Sequence, residues 1–358
     1  TILDLSYEYA DHERFIDRGI PTDDEGTGRP VEALQDIVFG DPENNLTTLQ
    51  AHVFRANLTQ KFSDNLKGIF SLSYSDFDKF YENFYATDYI PATNNVELDG
   101  YVDTTQRQSF TLTGDLIGEF ETGSIGHTFV TGVEYIDTSN DNDRFNAFWT
   151  GTSDDVEFFL VQRPLNFNGG AGVNFDGLAT TNDFTADLND RSDASVEVFS
   201  VYVNDQIEVN PYLDIVLGLR FDSFDFAVDV TDRADFNNGI LTIDPRSSTD
   251  DRVSPRAGLI FKPQENVSVY ASYSESFLPR SGEQFASIGS GNPFDPDVFE
   301  TAEIGVKWDF VPGMSFTAAY FQNEQTTQQR DPDTEQDFEE RGLEIEGFEL
   351  QLQGNITE

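Results

Sequence analysis

The sequence has no cysteine, one methionine, two tryptophans and only three histidines among its 358 residues. The lack of cysteine excludes a disulfide framework, a thiolate nucleophile and cysteine-ligated metal centres. His12, His52 and His127 lie far apart along the chain, which leaves little for a histidine metal cluster. Serine hydrolase chemistry is also disfavoured, because the sequence contains no Gly-x-Ser-x-Gly string.

Basic residues are scarce, since 21 Lys and Arg stand against 66 Asp and Glu, which gives a formal net charge of −45. A surface of this kind repels phosphate, so nucleic-acid binding and a basic membrane-surface helix are excluded. The acidity is most simply explained by solvation, and attraction of cations or cationic ligands is the sharper alternative. An uninterrupted apolar run of about 18 residues, which a transmembrane helix needs, is absent as well.

Aromatic residues, by contrast, are abundant, and 33 Phe with 13 Tyr are too many for a disordered acidic chain. The apolar residues recur with a period of two. From Leu213 to Phe221 the odd-numbered residues are all Leu, Ile or Phe, and the even-numbered ones are Asp, Val, Gly and Arg. Residues 54–62 and 302–310 repeat the pattern. A helix would spread such residues around its whole surface, so the pattern predicts strands with one apolar face.

Twelve strands are predicted, and the connections between them alternate strictly between short and long. The predicted strands span residues 1–12, 50–62, 66–79, 104–119, 127–140, 194–209, 213–229, 252–263, 267–275, 300–310, 314–326 and 341–354. The long connections are polar and lie at about 13–49, 80–103, 141–193, 230–251, 276–299 and 327–340.

Long polar connections on one side only are out of place in a compact soluble domain, which has short loops throughout. A transmembrane β-barrel has short periplasmic turns and long outer loops. The sequence therefore predicts an all-β fold, a segment of a transmembrane antiparallel up-and-down β-barrel. Its apolar strand face would meet lipid and its polar face would line a watery lumen.

Several strings then appear in a characteristic order and spacing along nearly the whole chain. They are Asp17 to Pro21 (DRGIP), Phe39 to Pro42 (FGDP), Ser254 to Pro263 (SPRAGLIFKP), Ser268 to Ser274 (SVYASYS) and Glu300 to Asp309 (ETAEIGVKWD). This ordered set resembles the TonB-dependent siderophore receptors of the outer membrane, most closely the catecholate or ferrichrome-type branch. The resemblance implies a barrel of about twenty-two strands that holds a plug domain.

The resemblance also implies that residues 1–358 form about twelve of those strands. We expect the plug, the TonB box and the closing strands to be missing from a chain cut at both ends, which has no leader sequence at Thr1. Such a piece has two open edges, so we expect a curved open sheet or a barrel segment rather than a closed pore.

In function, the resemblance implies active import of a ferric siderophore across the outer membrane of a Gram-negative bacterium, without enzyme activity. The TonB complex would supply the energy through the missing N-terminal region. We expect no cofactor bound by the protein, because iron would arrive only as chelated cargo. The expected partners are the ferric siderophore, the TonB complex and outer-membrane lipid.

Candidate ligand-binding residues are arginines and aromatic residues in or next to the long connections. Arginine can pair with an anionic siderophore, and aromatic rings can stack on its aryl groups. Packing within the loops, and an aromatic girdle at the membrane interface, are the simpler explanations. The candidates are Arg18, Arg29, Tyr81, Tyr85, Arg144, Phe277 and Arg280.

Other functions stay open at this point. A TonB-dependent receptor for another cargo and a passive porin share the same fold, and fold alone does not separate them. A secreted acidic adhesin and an outer-membrane hydrolase are further alternatives, and the hydrolase would need a catalytic set in the barrel wall. The net charge also opposes an anionic cargo, so either local Arg and Tyr groups override it or the cargo is neutral or cationic.

Overall fold

A computed structural model describes residues 1–23, 28–162, 165–279, 296–330 and 337–354, and these ranges are almost entirely β-strand. The strands are β1 (Ile2–Phe15), β2 (Thr22–Asp23), β3 (Leu46–Ser63), β4 (Leu66–Ile90), β5 (Asn95–Thr122), β6 (Ile125–Asn146), β7 (Glu157–Leu160), β8 (Phe167–Asn168), β9 (Ala171–Val173), β10 (Ala179–Thr181), β11 (Asp187–Asn210), β12 (Leu213–Thr231), β13 (Ile243–Gln264), β14 (Val267–Leu278), β15 (Asp297–Val311), β16 (Met314–Arg330) and β17 (Asp337–Gly354). The helices are a 3₁₀ turn, Glu32–Leu34, and α1, Arg233–Asn237.

Twelve long strands form one antiparallel meander in the order β1-β3-β4-β5-β6-β11-β12-β13-β14-β15-β16-β17. Each of the twelve predicted strands corresponds to one of them, so the predicted fold class is confirmed. In the described ranges β1 and β17 end the path, and the sheet is open, as expected for a barrel segment. No helix in these ranges is long and apolar enough to cross a bilayer.

The bounds of the predicted long connections need correction, most clearly at 80–103. There β4 continues to Ile90 and β5 begins at Asn95, so only a four-residue turn separates them. Long paired strands satisfy the backbone N–H and C=O groups that a loop would leave to water. The remaining outer connections are shorter than predicted for the same reason, since β11 starts at Asp187 and β13 at Ile243.

The two faces of the sheet differ in chemistry as the sequence predicts. Leu217, Leu219 and Phe221 project from one face of β12 and are 36–53% exposed, which suits a surface in contact with lipid. We call this the outward face. Arg220 and Asp222 lie on the opposite, inward face, where Arg220 pairs with Glu134 at 2.6 Å. The apolar face is therefore the one turned away from the polar lumen.

The main apolar core lies at the outer end of the sheet, the end that carries the long connections. Phe84 of β4 has no exposed surface, and its ring centroid lies 5.3 Å from that of Trp149 and 4.8 Å from that of Phe167. Phe159 completes this aromatic group. Residues 31–39 and 147–167 thus fold over the outer part of β4 and β5, and we call this group the outer core.

Candidate functional site

Three tyrosines gather on the inward face of β4 and β5 at the outer end. The register places Tyr81 opposite Asp103, Asn83 opposite Tyr101, and Tyr85 opposite Asp99. Alternate residues share a face of a strand, so these side chains project to the same side. The Tyr81 and Tyr101 rings stack with centroids 5.7 Å apart, and Tyr85 meets Tyr101 edge-on at 6.2 Å. Tyr81, Tyr85 and Tyr101 form what we call the tyrosine cluster.

Arg18 reaches the tyrosine cluster from the connection that follows β1. Its guanidinium carbon lies 4.6 Å from the Tyr85 ring centroid and 5.7 Å from that of Tyr101. It donates hydrogen bonds to Tyr101 Oη at 2.8 Å and to Asn83 Oδ1 at 3.2 Å. These partners are all uncharged, and within the described ranges Arg18 forms no ion pair with a carboxylate. Its positive charge is therefore held in place without being neutralised by direct contact.

Arg144 approaches the same ring from the neighbouring strand, on the same face of the sheet. It lies on β6 opposite Asp103 of β5, and the two side chains form an ion pair. Its guanidinium carbon is 4.8 Å from the Tyr101 ring centroid. Tyr101 thus contacts two guanidinium groups. Arg144 is paired with a carboxylate, whereas Arg18 has no such partner in the part of the chain that the structure describes.

Asp99 and Tyr85 form a hydrogen-bonded pair at the edge of the tyrosine cluster. On the outward face of β4, the exposed large apolar side chains extend no further than Tyr74. Tyr85 and Asp99 therefore lie beyond the membrane-spanning part of the sheet. Tyr85 Oη donates to Asp99 Oδ2 at 2.8 Å. Burial raises the pKa of the Asp99 carboxyl, although the bond from Tyr85 opposes this. Burial, and then the bond to Asp99, raises the pKa of Tyr85, so the phenol stays a hydrogen-bond donor.

Of the seven predicted residues, the structure brings together Arg18, Tyr81, Tyr85 and Arg144. Arg29 is exposed in the connection between β2 and β3.

Phe277 does not join the tyrosine cluster, because it lies on β14 opposite Val298 of β15, five strands from β5. It lines an open cavity of about 480 Å³ on β11, β12, β13 and β14 instead. Arg280 lies outside the described residues.

Tyr101, the ring that connects the others, was missed by the sequence reasoning. It lies in the stretch interpreted as a loop, and its role depends on its register with Asn83. The alternation of Asp99, Tyr101 and Asp103 was the available signal, since these residues share one face of a strand.

The apolar outward face and polar inward face identify the meander as the wall of a transmembrane β-barrel. Residues 1–357 match the family described as TonB dependent receptor-like, beta-barrel, so the chain belongs to the TonB-dependent receptor family. The resemblance seen in the sequence is thereby confirmed. Barrels of this family are outer-membrane proteins of Gram-negative bacteria.

Individual relatives support the same assignment. The probable TonB-dependent siderophore receptor PiuA of Acinetobacter baumannii is 30% identical over 385 residues, covering 100% of this chain and 49% of that protein. The crystal structure of PiuA matches with a TM-score of 0.72 and 26% identity, covering 99% of this chain and 52% of that one.

Two further relatives carry other names. The metal-pseudopaline receptor CntO of Pseudomonas aeruginosa is 27% identical over 357 residues, covering 94% of this chain and 45% of that protein. The catecholate siderophore receptor Fiu of Escherichia coli K12 is 27% identical over 266 residues, covering 68% of this chain and 32% of that protein. The chain spans half or less of the length of the curated relatives it matches.

Proposed function

We propose that the chain is barrel wall of an outer-membrane receptor that imports a ferric siderophore with energy from the TonB complex. The observation that carries this proposal is Arg18, a guanidinium held by tyrosines and Asn83 in a chain with 66 carboxylates. Because no carboxylate pairs with it in the described ranges, its charge is available to an anionic ligand. The names of PiuA and Fiu support the same class of cargo.

In this proposal the tyrosine cluster contacts the aryl groups of the cargo while Arg18 meets its negative charge. Aromatic rings and guanidinium groups together bind flat anionic ligands well. The rings stack on the faces of the ligand, and the guanidinium donates hydrogen bonds to its charged edge. Iron belongs to the cargo rather than to a protein site. The plug and the TonB contact belong to parts of the receptor other than these 358 residues, and the barrel does no covalent chemistry.

The test is uptake of radiolabelled ferric catecholate in a receptor-deletion strain that carries the whole receptor with Arg18→Gln. We expect cargo affinity to fall by about tenfold, the loss of one charge-assisted contact, with unchanged receptor abundance. Arg233→Gln is the matched control, because Arg233 lies on α1 and pairs with Asp187 rather than with a member of the tyrosine cluster. If deletion of the receptor leaves uptake of every ferric siderophore tested unchanged, the proposal is wrong.

A second candidate is import of a metal chelate other than a ferric siderophore. The net charge of −45 favours a neutral or cationic cargo, and CntO is named as a metal-pseudopaline receptor. Uptake of radiolabelled zinc or nickel by the same deletion and complemented strains separates the two candidates.

A further inference from the structure

A carboxylate lies behind the tyrosine cluster, with one ring between it and Arg18. Asp99 of β5 accepts a hydrogen bond from Tyr85 Oη at 2.8 Å and a second one from the Gly100 amide at 2.6 Å. The guanidinium carbon of Arg18 lies over the same Tyr85 ring, 4.6 Å from its centroid. Carboxylate, phenol and guanidinium thus follow one another at the outer end of the inward face.

Asp99 and Arg18 influence each other across this ring, although no ion pair joins them. Burial raises the pKa of the Asp99 carboxyl, and the hydrogen bonds from Tyr85 and Gly100 and the positive charge of Arg18 all oppose that rise. The attraction is mutual, so the negative charge of Asp99 offsets part of the charge that Arg18 presents to a ligand. Arg18 therefore meets an anion as a weakened cation.

A second carboxylate adds to the negative charge at this edge of the tyrosine cluster. Burial raises the pKa of Asp155, in the connection before β7, and the carboxylates of Asp99 and Asp154 raise it further. A carboxylate close enough to raise the pKa of its neighbour also repels an approaching anion. Asp99 is the member of this group that is bonded to the tyrosine cluster.

The same three-part arrangement occurs at two further places among the described residues of the inward face. The two sets are Asp115, Tyr202 and Arg220, and Glu303, Tyr270 and Lys307. All six residues belong to long strands of the meander. In the first set the cation is also neutralised by direct contact, because Arg220 pairs with Glu134 at 2.6 Å and with Asp222 at 2.7 Å. The arrangement at Asp99 differs because its cation comes from the connection after β1, at the outer end of the sheet.

We propose that Asp99 is a specificity-determining residue, which makes the tyrosine cluster favour aromatic chelates of low net negative charge over highly anionic ones. The inference rests on the proposed function, because it narrows the class of cargo that Arg18 and the tyrosines bind. The repulsion between Asp99 and a ligand grows with the charge of the ligand, whereas stacking on Tyr81 and Tyr101 does not depend on that charge. A fixed like charge beside a binding site excludes the wrong ligand in this way.

The experiment measures equilibrium binding to the purified whole receptor with Asp99→Asn, which removes the charge and keeps an acceptor for Tyr85 Oη. The two probes, both labelled with radioactive iron, are ferric tris(2,3-dihydroxybenzoate), which is highly anionic, and ferric tris(tropolonate), which is aromatic and neutral. We expect the wild type to bind the neutral probe more tightly. Asp99→Asn should tighten binding of the anionic probe about fivefold and change binding of the neutral probe less than about twofold.

Asp115→Asn is the matched control, because Asp115 lies on the same strand and face and also accepts a hydrogen bond from a tyrosine. That tyrosine, Tyr202, packs on Arg220 rather than on Arg18. The control removes the same charge from the protein, and we expect it to leave the affinity for both probes within about twofold of the wild type.

Any of four results overturns the inference. Equal tightening of both probes by Asp99→Asn shows that the substitution alters the shape of the site rather than its charge. An unchanged or weakened affinity for the anionic probe shows that Asp99 does not offset Arg18. Equal tightening by Asp115→Asn shows an effect of net charge alone. A wild-type receptor that binds the neutral probe no better than the anionic one, or not at all, has no preference for low charge.

The proposed function is tested separately by Arg18→Gln and by deletion of the receptor. If Arg18→Gln weakens binding of the anionic probe while Asp99→Asn changes nothing, the function stands and only the role of Asp99 is wrong. If deletion leaves uptake of every ferric siderophore tested unchanged, the proposed function is wrong, whatever Asp99→Asn does to the purified receptor.

Discussion

Asn45 ties the outer connections to the sheet through one buried side chain. Its Nδ2 donates to the backbone carbonyls of Ile16 and Phe84, at 3.1 and 2.8 Å. Its Oδ1 accepts from the backbone amides of Asp41 and Phe84, at 2.7 and 3.0 Å. The end of β1, the connection before β3 and the outer part of β4 therefore depend on one amide.

Replacing this amide is expected to destabilise the outer end of the protein. Asn45→Ala leaves four buried backbone groups without this partner, so we expect a loss of about 2–4 kcal/mol in the free energy of unfolding. Urea unfolding followed by Trp149 fluorescence in a Trp308→Phe background measures it, because Trp149 lies in the outer core. Asn57→Ala, an exposed asparagine of β3, is the control. Equal effects of the two substitutions would contradict the role given to Asn45.

Asp99 makes a pH-dependent contribution to stability whose sign follows from its environment. Burial raises its pKa above the ordinary 3.8, so folding favours the protonated form. Its stabilising contribution is therefore present at low pH and is lost as the pH rises through the raised pKa. We expect the difference in unfolding free energy between the wild type and Asp99→Asn to decrease over that range.

Asp183 supplies a control of opposite sign. Hydrogen bonds from the Thr185 hydroxyl and amide lower its pKa, so its contribution is present above the ordinary value and lost as the pH falls. Unfolding free energies of the wild type, Asp99→Asn and Asp183→Asn, measured across the acid range, test both. Parallel pH dependence of the two variants relative to wild type would refute the assignment.

At the scale of elements, four glutamates stand side by side on adjacent strands. Glu275 of β14 lies opposite Glu300 of β15, which lies opposite Glu324 of β16, and that residue lies opposite Glu344 of β17. Like charges directly opposite each other destabilise a sheet. This row therefore weakens the pairing of β14 to β17 at the outer end.

Relieving the row is expected to stabilise the sheet. Glu300→Gln removes the charge between two glutamates and keeps an acceptor for Tyr273 Oη, so we expect a gain of about 0.5–1 kcal/mol that shrinks at high salt. Thermal unfolding at low and high salt measures it. Glu119→Gln, which lies opposite Thr128, serves as the reference change of charge. A gain that does not depend on salt would rule out charge repulsion as its cause.

The strands were predictable where one face meets lipid and the other meets water, because alternation is then visible in the sequence. Beyond the bilayer this condition fails. Phe84 is buried under the outer core while its neighbour Tyr85 joins the tyrosine cluster, so apolar rings project from both faces and the alternation disappears. That is why the sequence pattern predicts a loop over 80–103.

The candidate site was predictable in its residue types but not in its assembly. Arginine and tyrosine near the long connections pointed to Arg18, Tyr81, Tyr85 and Arg144. Tyr101 was missed because its role depends on cross-strand register and on Arg18, which is distant in sequence. The cross-strand register is set by the pattern and turn of the whole hairpin, so it cannot be predicted from a single residue.

For the molecule as a whole, the large excess of carboxylates is accommodated partly by phenols. Tyr135 donates to Glu197 at 2.6 Å, Tyr273 to Glu300 at 2.9 Å and Tyr320 to Glu346 at 2.7 Å. A phenol donor satisfies a carboxylate without neutralising it. The chain therefore keeps its net charge of −45 with few cations, and the field of that charge reaches any approaching ligand.

That field predicts how cargo association responds to salt. An anionic ferric catecholate is repelled at long range and attracted only near Arg18. Screening by salt should therefore weaken the repulsion more than the attraction and speed up association. We expect the association rate constant to rise by about two- to tenfold when ionic strength increases from about 0.01 to about 0.15 M. Stopped-flow quenching of tryptophan fluorescence measures the rate, with a neutral ferric hydroxamate as the salt-insensitive control. An anionic cargo whose association slows as salt rises would instead show that local cations dominate the approach, since screening then removes an attraction rather than a repulsion.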